Sequence, residues 1–519
     1  MDWRGTTSYG YDTLNRVTSI STPDGNTVGY GYDAVGNRTS LTYPSGNVVQ
    51  YQYDALNRLT EVTDWNNLTT KYTYDAVGNL LGTTNPNNTA AAYSYDTANR
   101  LLNITNRNAT QVLSGYGYVL DKVGNRIEVE SYNEGVQQYR YDKLYRLTAW
   151  TNAQRETTQW IYDAVGNRLQ QVGSQGTLNY TYDAADEMLT AGTASFAYDG
   201  NGNQLTKTNG GTTTNYSWDA LNRLTAVVAG RNGTQYQYDG DGNRVSQQIS
   251  TGTYAYVNDT ATALPVVMNE NGPDGNISYA YGPSLISASA TNLQSFYQFD
   301  GTGSVVTVTD QSGFVKAAYQ YDPWGTVQSR ADLLGRENKY KFIGEAEDPA
   351  ASLMFLRARF LDSTSGRFLS RDPLGLRNLS GMSSYTYALA NPLRLVDPSG
   401  LSAVDWDQAP ATSDSTPNPT PFAGNAVSGA GIFQDPAVGP AFRAQLKSIV
   451  VGEFLGDYIN FARDSYTWEK DAFSSSTPTA KRLTDSWDVL SDIAGIAGHD
   501  TVGLFMDAIK LAATPEVAK

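Results

Sequence analysis

The chain has 519 residues, no cysteine, one histidine and a formal net charge of −15. The missing cysteines exclude a disulfide framework and thiol chemistry, and the acidic excess argues against nucleic acid as the main partner of the whole chain. No apolar run is long enough for a transmembrane helix. Met1-Asp2-Trp3-Arg4 leads straight into repetitive sequence without a signal-peptide n- and h-region, so the expectation is either export without a cleaved signal or a fragment of a longer chain. The fragment reading is preferred, because no capping element precedes the first repeat.

A tyrosine-aspartate pair then recurs about every 21 residues. Tyr11-Asp12 is followed by Tyr32-Asp33, Tyr53-Asp54, Tyr74-Asp75 and Tyr95-Asp96, then Leu120-Asp121, Tyr141-Asp142 and Tyr162-Asp163. The spacing loosens through Tyr182, Tyr198, Trp218, Tyr238 and Phe299 and closes near Tyr321. The residues after each pair alternate between Leu-Asn-Arg (Asn15-Arg16, Asn57-Arg58) and Val-Gly-Asn wording (Gly36-Asn37, Gly78-Asn79). The structural unit is therefore a pair of turns in different surroundings, about 42 residues long.

Around each pair, aromatic and β-branched residues alternate with small or polar ones, which predicts β-hairpins closed by positive-φ Asn and Gly. One hairpin buries too little to stand alone, so the hairpins must stack edge to edge into one extended sheet. Residues 1–330 are assigned to this repeat region. Its 12 to 14 hairpins give about 26 strands, a ribbon of roughly 125 Å that barely closes one ring about 40 Å across. On that count a complete cage needs further N-terminal repeats or a partner chain. The tyrosines read as ladder packing, with carbohydrate binding along the aromatic stripe as the second reading. The Asp-x-x-x-Asn-Arg spacing reads as turn hydrogen bonding rather than a calcium loop, which needs a denser carboxylate set. No cofactor and no metal site are predicted.

The period ends in a different block, assigned to residues 331–401. It contains Arg359-Phe360-Leu361-Asp362, Gly366-Arg367-Phe368, Asp372-Pro373-Leu374-Gly375, Asn391-Pro392 and Asp397-Pro398-Ser399-Gly400-Leu401. With the preceding repeats, this block resembles the Rhs family of polymorphic toxins, the C component of Tc insecticidal toxins and, in the repeats, teneurins. The resemblance implies a mainly β fold, hairpins spiralling into a β-shell, and a terminal plug that acts as an intramolecular aspartyl protease. Carried over, Asp372 and Asp397 are the catalytic pair, Arg371 supports them, and Leu401–Ser402 is the bond cut. Pro373, Gly375, Pro398 and Gly400 form the turns that carry the pair. The stretch between the aspartates lacks the family's Gly-x-Asn-x-Tyr wording.

The chemistry stands apart from the resemblance. Two carboxylates held close cannot both ionise, so one stays an acid while the other activates water. Taken alone, both Asp-Pro-x-Gly segments also read as tight turns. The resemblance further implies a secreted or cell-surface protein used in interbacterial competition or host intoxication. Its partners are then its own C-terminal tail as cargo, a secretion-system tip protein or a Tc-B-like chain, and an immunity protein. A surface adhesion or carbohydrate-binding module without cleavage is the alternative.

After Leu401 the composition changes. Residues 402–438 are rich in Pro, Ser, Thr and Asp and read as a linker. Residues 439–519 read as a helical variable effector or pre-toxin region, with apolar residues at helical spacing in 439–466. From 402 on there are 15 acidic and 8 basic residues, a composition that disfavours a nuclease. His499, beside Asp500, lacks a nucleophile or ligand partner in the sequence and reads as an ordinary histidine. The Gly- and Ala-rich segment 493–513 is interrupted by His499, Asp500 and Asp507, which weakens a membrane-insertion reading.

Overall fold

The computed structural model of the chain describes residues 2–291, 293–334, 338–374 and 381–405. The helical tail expected at 439–519 and all of the linker beyond Asp405 lie outside the described residues, as does Gly375. Among the described residues the fold is mainly β, with one 32-stranded sheet running from Ser8 to Asp332. Each strand pairs antiparallel with the next in sequence. A four-stranded sheet follows at Ala346–Phe368, and a two-stranded one at Leu395–Val396 and Val404–Asp405.

The repeat wording is legible atom by atom. In each Tyr-Asp turn the aspartate Oδ1 accepts from backbone amides two and four residues on, as Asp12 does from Leu14 and Arg16 at 2.9 Å. The third residue after the aspartate has positive φ, where Asn or Gly fits: Asn15 at 59°, Gly36 at 103°. The fourth residue occupies Oδ2. In the Leu-Asn-Arg turns it is arginine, with Arg16 Nε at 2.7 Å from Asp12. In the Val-Gly-Asn turns it is asparagine, with Asn37 Nδ2 at 2.8 Å from Asp33.

The two turn types differ because they hand on different bonds. Arg16 Nη1 donates to the carbonyl of Asp33 in the next turn (2.7 Å), and Asn37 Nδ2 donates to Asn57 Oδ1 in the one after (3.0 Å). The same relay recurs at Arg58 to Asp75, Asn79 to Asn99 and Arg146 to Asp163. Most repeat tyrosines also donate to a carbonyl about 15 residues back, as Tyr162 does to Leu147 (2.7 Å), beneath the guanidinium of Arg146 5.0 Å from its ring centre. The repeat tyrosines are thus structural. Tyr162→Phe leaves the Leu147 carbonyl short of a donor and should cost about 1 kcal/mol in denaturant unfolding, whereas Tyr132→Phe at an exposed position should change stability by under about 0.5 kcal/mol.

The ribbon winds back on itself. Tyr30 and Arg38 reach Asp259 at 3.0 and 2.5 Å, so the third strand (Thr27–Tyr32) meets the twenty-fifth (Gly252–Asp259). Further on, Asn87 donates to Thr309 at 3.0 Å and Arg126 to the Gly301 carbonyl at 2.7 Å. Sequence separation across the seam falls from 229 to 175 residues in that direction, so the spiral tightens. At ~4.8 Å per strand, 22 strands make a circuit of about 105 Å. The expectation of about 26 strands and barely one turn is therefore corrected. The strands missed, such as Val266–Gly272 and Leu285–Ala290, lack the Tyr-Asp wording. From Gly173, which pairs with Gly176, the alternate turns shrink to two residues, which shortens the period.

The arginines that follow Gly-Asn turns point inward and are buried: Arg38, Arg126, Arg168 and Arg244. Arg38 pairs with the opposing turn of the spiral, and Arg168 lies 3.9 Å from the Trp324 ring centre. Nearby, Glu134 and Asp300 face one cavity of about 60 Å³. Burial, then the charge of Asp300, pushes the Glu134 carboxyl up to about 7. A folded-state pKa above the unfolded one means that this contribution to stability is present below about pH 4.5 and is lost as pH rises through 7. Glu134→Gln should therefore be near neutral at pH 5 and stabilise by about 1–3 kcal/mol at pH 8, read from denaturant midpoints at the two pH values.

Candidate active site

The terminal block is folded onto the repeat sheet. Leu356, Leu361, Phe368, Tyr387 and Val396 share one core with repeat residues Tyr118, Tyr139, Leu147 and Trp160. Asn391 Nδ2 donates to Asn125 Oδ1 of a Gly-Asn turn at 2.8 Å, and Arg367 Nη1 donates to Asn167 Oδ1 of another at 2.7 Å. The Asn-Pro and Gly-Arg-Phe segments of the block are thus anchors to the repeats.

At the centre of the block is Arg359, 3% exposed, in the strand Arg359–Asp362. The hairpin Leu353–Leu356 and Arg359–Asp362 turns through Arg357 and Ala358, which sets Arg359 opposite Leu356 in the pairing. Its guanidinium carbon lies 3.6 Å from the Phe368 ring centre. Nη2 is 3.3 Å from Oδ2 of both Asp372 and Asp397, Nη1 donates to the Ser384 carbonyl (2.9 Å), and Nε donates to the Gly400 carbonyl. One buried cation thus gathers two carboxylates and the residue before Leu401.

Asp397 is wrapped around the Leu401–Ser402 bond. Its Oδ1 accepts from the amides of Leu401 and Ser402, both at 3.0 Å, and from Ser399 Oγ at 3.0 Å. Gly400 N closes the tight turn on the Asp397 carbonyl (3.3 Å), with Pro398 and Ser399 at its corner and the Pro398 carbonyl held by Arg357 Nη1 at 2.6 Å. Asp372 Oδ1 accepts from Leu374 N across Pro373 at 2.8 Å, and Asp372 N donates to the Ser384 carbonyl. Both Asp-Pro segments are therefore turns whose carboxylates converge. Burial pushes the Asp397 carboxyl up, and Arg359 with the surrounding donors pulls it back.

Asp372, Asp397, Leu401 and Ser402 thus come together. Arg371 does not join them. Its Nη2 lies 3.5 Å from Glu187 Oε1 and 3.3 Å from the Ala185 carbonyl, so it fastens the block to a repeat turn. The arginine between the carboxylates is Arg359. Sequence adjacency favours Arg371, but in an extended segment neighbouring side chains point to opposite sides. The signal for Arg359 is its place in the Arg-Phe-Leu-Asp segment, an arginine amid an apolar run that must be buried and so requires counter-charge. Among the described residues, no group of three or more acidic or histidine side chains could hold a metal ion, and no helix is long and apolar enough to cross a membrane.

Comparison with known proteins gives a consistent picture. Residues 122–392 match the teneurin YD-shell family, and residues 11–48, 32–70 and 74–111 match the RHS repeat. A relative from Bacillus spizizenii, the tRNA3(Ser)-specific nuclease WapA, is 30% identical over 290 residues, 54% of this chain and 11% of that protein. The double-stranded DNA deaminase toxin A of Burkholderia cenocepacia is 27% identical over 264 residues, 50% of this chain and 17% of that protein. The chain thus spans a small part of the length of these relatives. In the crystal structure of TcdB2–TccC3, the shared fold covers 76% of this chain and 24% of that one, with a TM-score of 0.65 and 20% identity. Repeat sequence, shell and fold agree, and the chain belongs to the Rhs/YD-repeat family.

Proposed function

We propose that the protein is a toxin-delivery shell whose terminal block cuts its own backbone at Leu401–Ser402 and frees the residues beyond as an effector. The observation that carries this reading is Asp397 Oδ1, which accepts from the amide of Ser402 while its other oxygen shares Arg359 with Asp372. The relatives named as nuclease and deaminase toxin support a toxin-related role for the chain. The likeness to a TcdB2–TccC3 chain supports a second toxin chain as partner.

In this scheme Asp397 carries the proton, because burial pushes its carboxyl up. Asp372, as base, takes a proton from water, and the water oxygen bonds to the Leu401 carbonyl carbon. Asp397, raised by burial, is the acid, and its Oδ1 lies against the nitrogen that departs. As the carbon–nitrogen bond breaks, a proton passes to Ser402 N. The products are the Leu401 carboxyl and the Ser402 amine. Because substrate and catalyst share one chain, the fold itself supplies the effective molarity.

The test is denaturing intact mass of the full chain beside Asp372→Asn and Asp397→Asn. Two fragments split at Leu401–Ser402 in the parent, and one intact chain in each variant, are expected. An uncut parent sinks the reading and moves the uncleaved binding module ahead.

A further inference from the structure

We infer that the cavity where Arg244 meets the terminal block is an anion site, in which the buried Arg244 guanidinium holds a small inorganic anion of chloride size. All its residues precede Leu401, so the site acts whether or not the chain is cut.

Arg244 is 6% exposed, and its guanidinium carbon lies 4.3 Å from the ring centre of Phe355, 5.0 Å from that of Tyr256 and 5.7 Å from that of Tyr236. These rings offer π faces to the cation but no oxygen to its N–H groups. Neither Nε nor Nη1 has a hydrogen-bond partner in the protein, and among the described residues the side chain makes no ion pair. Two arginines at the equivalent place in other repeats are matched: Arg38 pairs with Asp259, and Arg126 donates to the Gly301 carbonyl at 2.7 Å. Asp348 acts on Arg244 only across space. Its Oδ2 accepts from Tyr236 and Gln247, and its Oδ1 from the amides of Ala350 and Ala351. A guanidinium cannot shed its proton, so burying one without an acceptor is costly.

Arg244 lines a cavity of about 60 Å³ together with Asn258, Tyr281, Glu345, Phe355 and Arg357. One water needs roughly 10–15 Å³ of such space, so a halide fits and a sugar or nucleotide does not. The charged groups on the wall are two cations against one carboxyl. Arg357 Nη1 is 2.8 Å from Glu345 Oε1, so these two cancel, and burial pushes the Glu345 carboxyl up against the pull of Arg357. Arg244 is the charge left over, and one monovalent anion balances it. The site also lies at a joint. Arg244 opens the repeat strand Arg244–Ile249, whereas Glu345, Phe355 and Arg357 belong to the terminal block. Arg357 Nη1 further holds the Pro398 carbonyl at 2.6 Å. An anion bound to Arg244 thus ties the block to the repeats beside the turn that carries Leu401–Ser402.

The experiment uses the full chain, cut or uncut, in sodium gluconate, with sodium chloride exchanged in at constant ionic strength. Chloride NMR line width reports binding, and the denaturant midpoint reports stability. Broadening beyond bulk chloride is expected, with the folding constant rising about tenfold between no chloride and about 0.15 M. Arg244→Met keeps the packing of the stem and removes the charge, and should lose both responses. Arg16→Met, in a repeat turn, should keep both. The parent also gives a readout that needs no variant: a crystal soaked in bromide should show anomalous scattering within hydrogen-bond distance of Arg244. No broadening above bulk, a bromide site elsewhere only, or a response that a folded Arg244→Met retains overturns the proposal. Equal stability in chloride and gluconate at matched ionic strength also overturns it, and leaves water as the partner of Arg244.

Discussion

Arg359→Ala should abolish self-cleavage and cost about 3–5 kcal/mol of stability, the effect of removing one partner from a buried ion cluster. The side chain is 3% exposed, and its loss leaves Asp372 and Asp397 facing each other without a cation. It also strips the donors from the Gly400 and Ser384 carbonyls and the cation from the Phe368 ring. Arg359→Lys keeps the charge but not the fork, since one ammonium cannot reach both carboxylates and both carbonyls in the same geometry. It should fold and cut slowly. The pH dependence separates a catalytic defect from a folding one. Arg359 holds Asp397 down against the rise caused by burial, so weakening that interaction raises the carboxyl further. Residual cleavage in Arg359→Lys should therefore persist to higher pH than in the parent, read as fragment mass against time from pH 5 to 8. An unshifted profile would sink the claim that Arg359 sets the protonation of the pair.

The contrast between Arg359 and Arg371 marks how far the sequence could be read. Turn chemistry is local: Asp12, Asn15 and Arg16 sit within five residues, and their bonds follow from spacing alone. The alternation of Leu-Asn-Arg with Val-Gly-Asn was visible too, and its cause is a relay to the next turn. Contacts across the seam were not legible, because they join residues 175 to 238 apart and carry no shared pattern. Asp259 illustrates this: it lies outside any Tyr-Asp pair and yet receives Tyr30 and Arg38. The convergence of Asp372 and Asp397 was legible only through a family resemblance, since each segment alone is an ordinary turn. Their common cation was missed for the same reason as the seam contacts. It comes from a third segment, whose register is fixed by the hairpin opposite Leu356.

Gly400→Ala should slow cleavage about 100-fold or more while the repeat sheet stays folded. Gly400 has φ of +68°, where a Cβ already costs roughly 1 kcal/mol. The larger effect is contact. A Cβ there would meet the Leu356 carbonyl oxygen and lie 2.9 Å from Arg359 N, both backbone atoms that cannot swing aside. Relief requires the Asp397–Ser402 turn to lift away from the strand that carries Arg359. That motion lengthens the bond from Arg359 to the Gly400 carbonyl and moves the Leu401 carbonyl relative to Asp372. A displacement near 1 Å at reacting atoms is enough for a rate loss of this size. Gly46→Ala is the matched control: its φ is +85°, a Cβ there meets nothing within 4 Å, and it lies in a remote turn of the repeats. Both variants place a Cβ at positive φ, so equal cleavage rates by denaturing mass would show that the close approach at Gly400 does not hold the bond in place. A slow Gly400→Ala beside an unaffected Gly46→Ala would place the constraint at the contact with the Leu356 and Arg359 backbone.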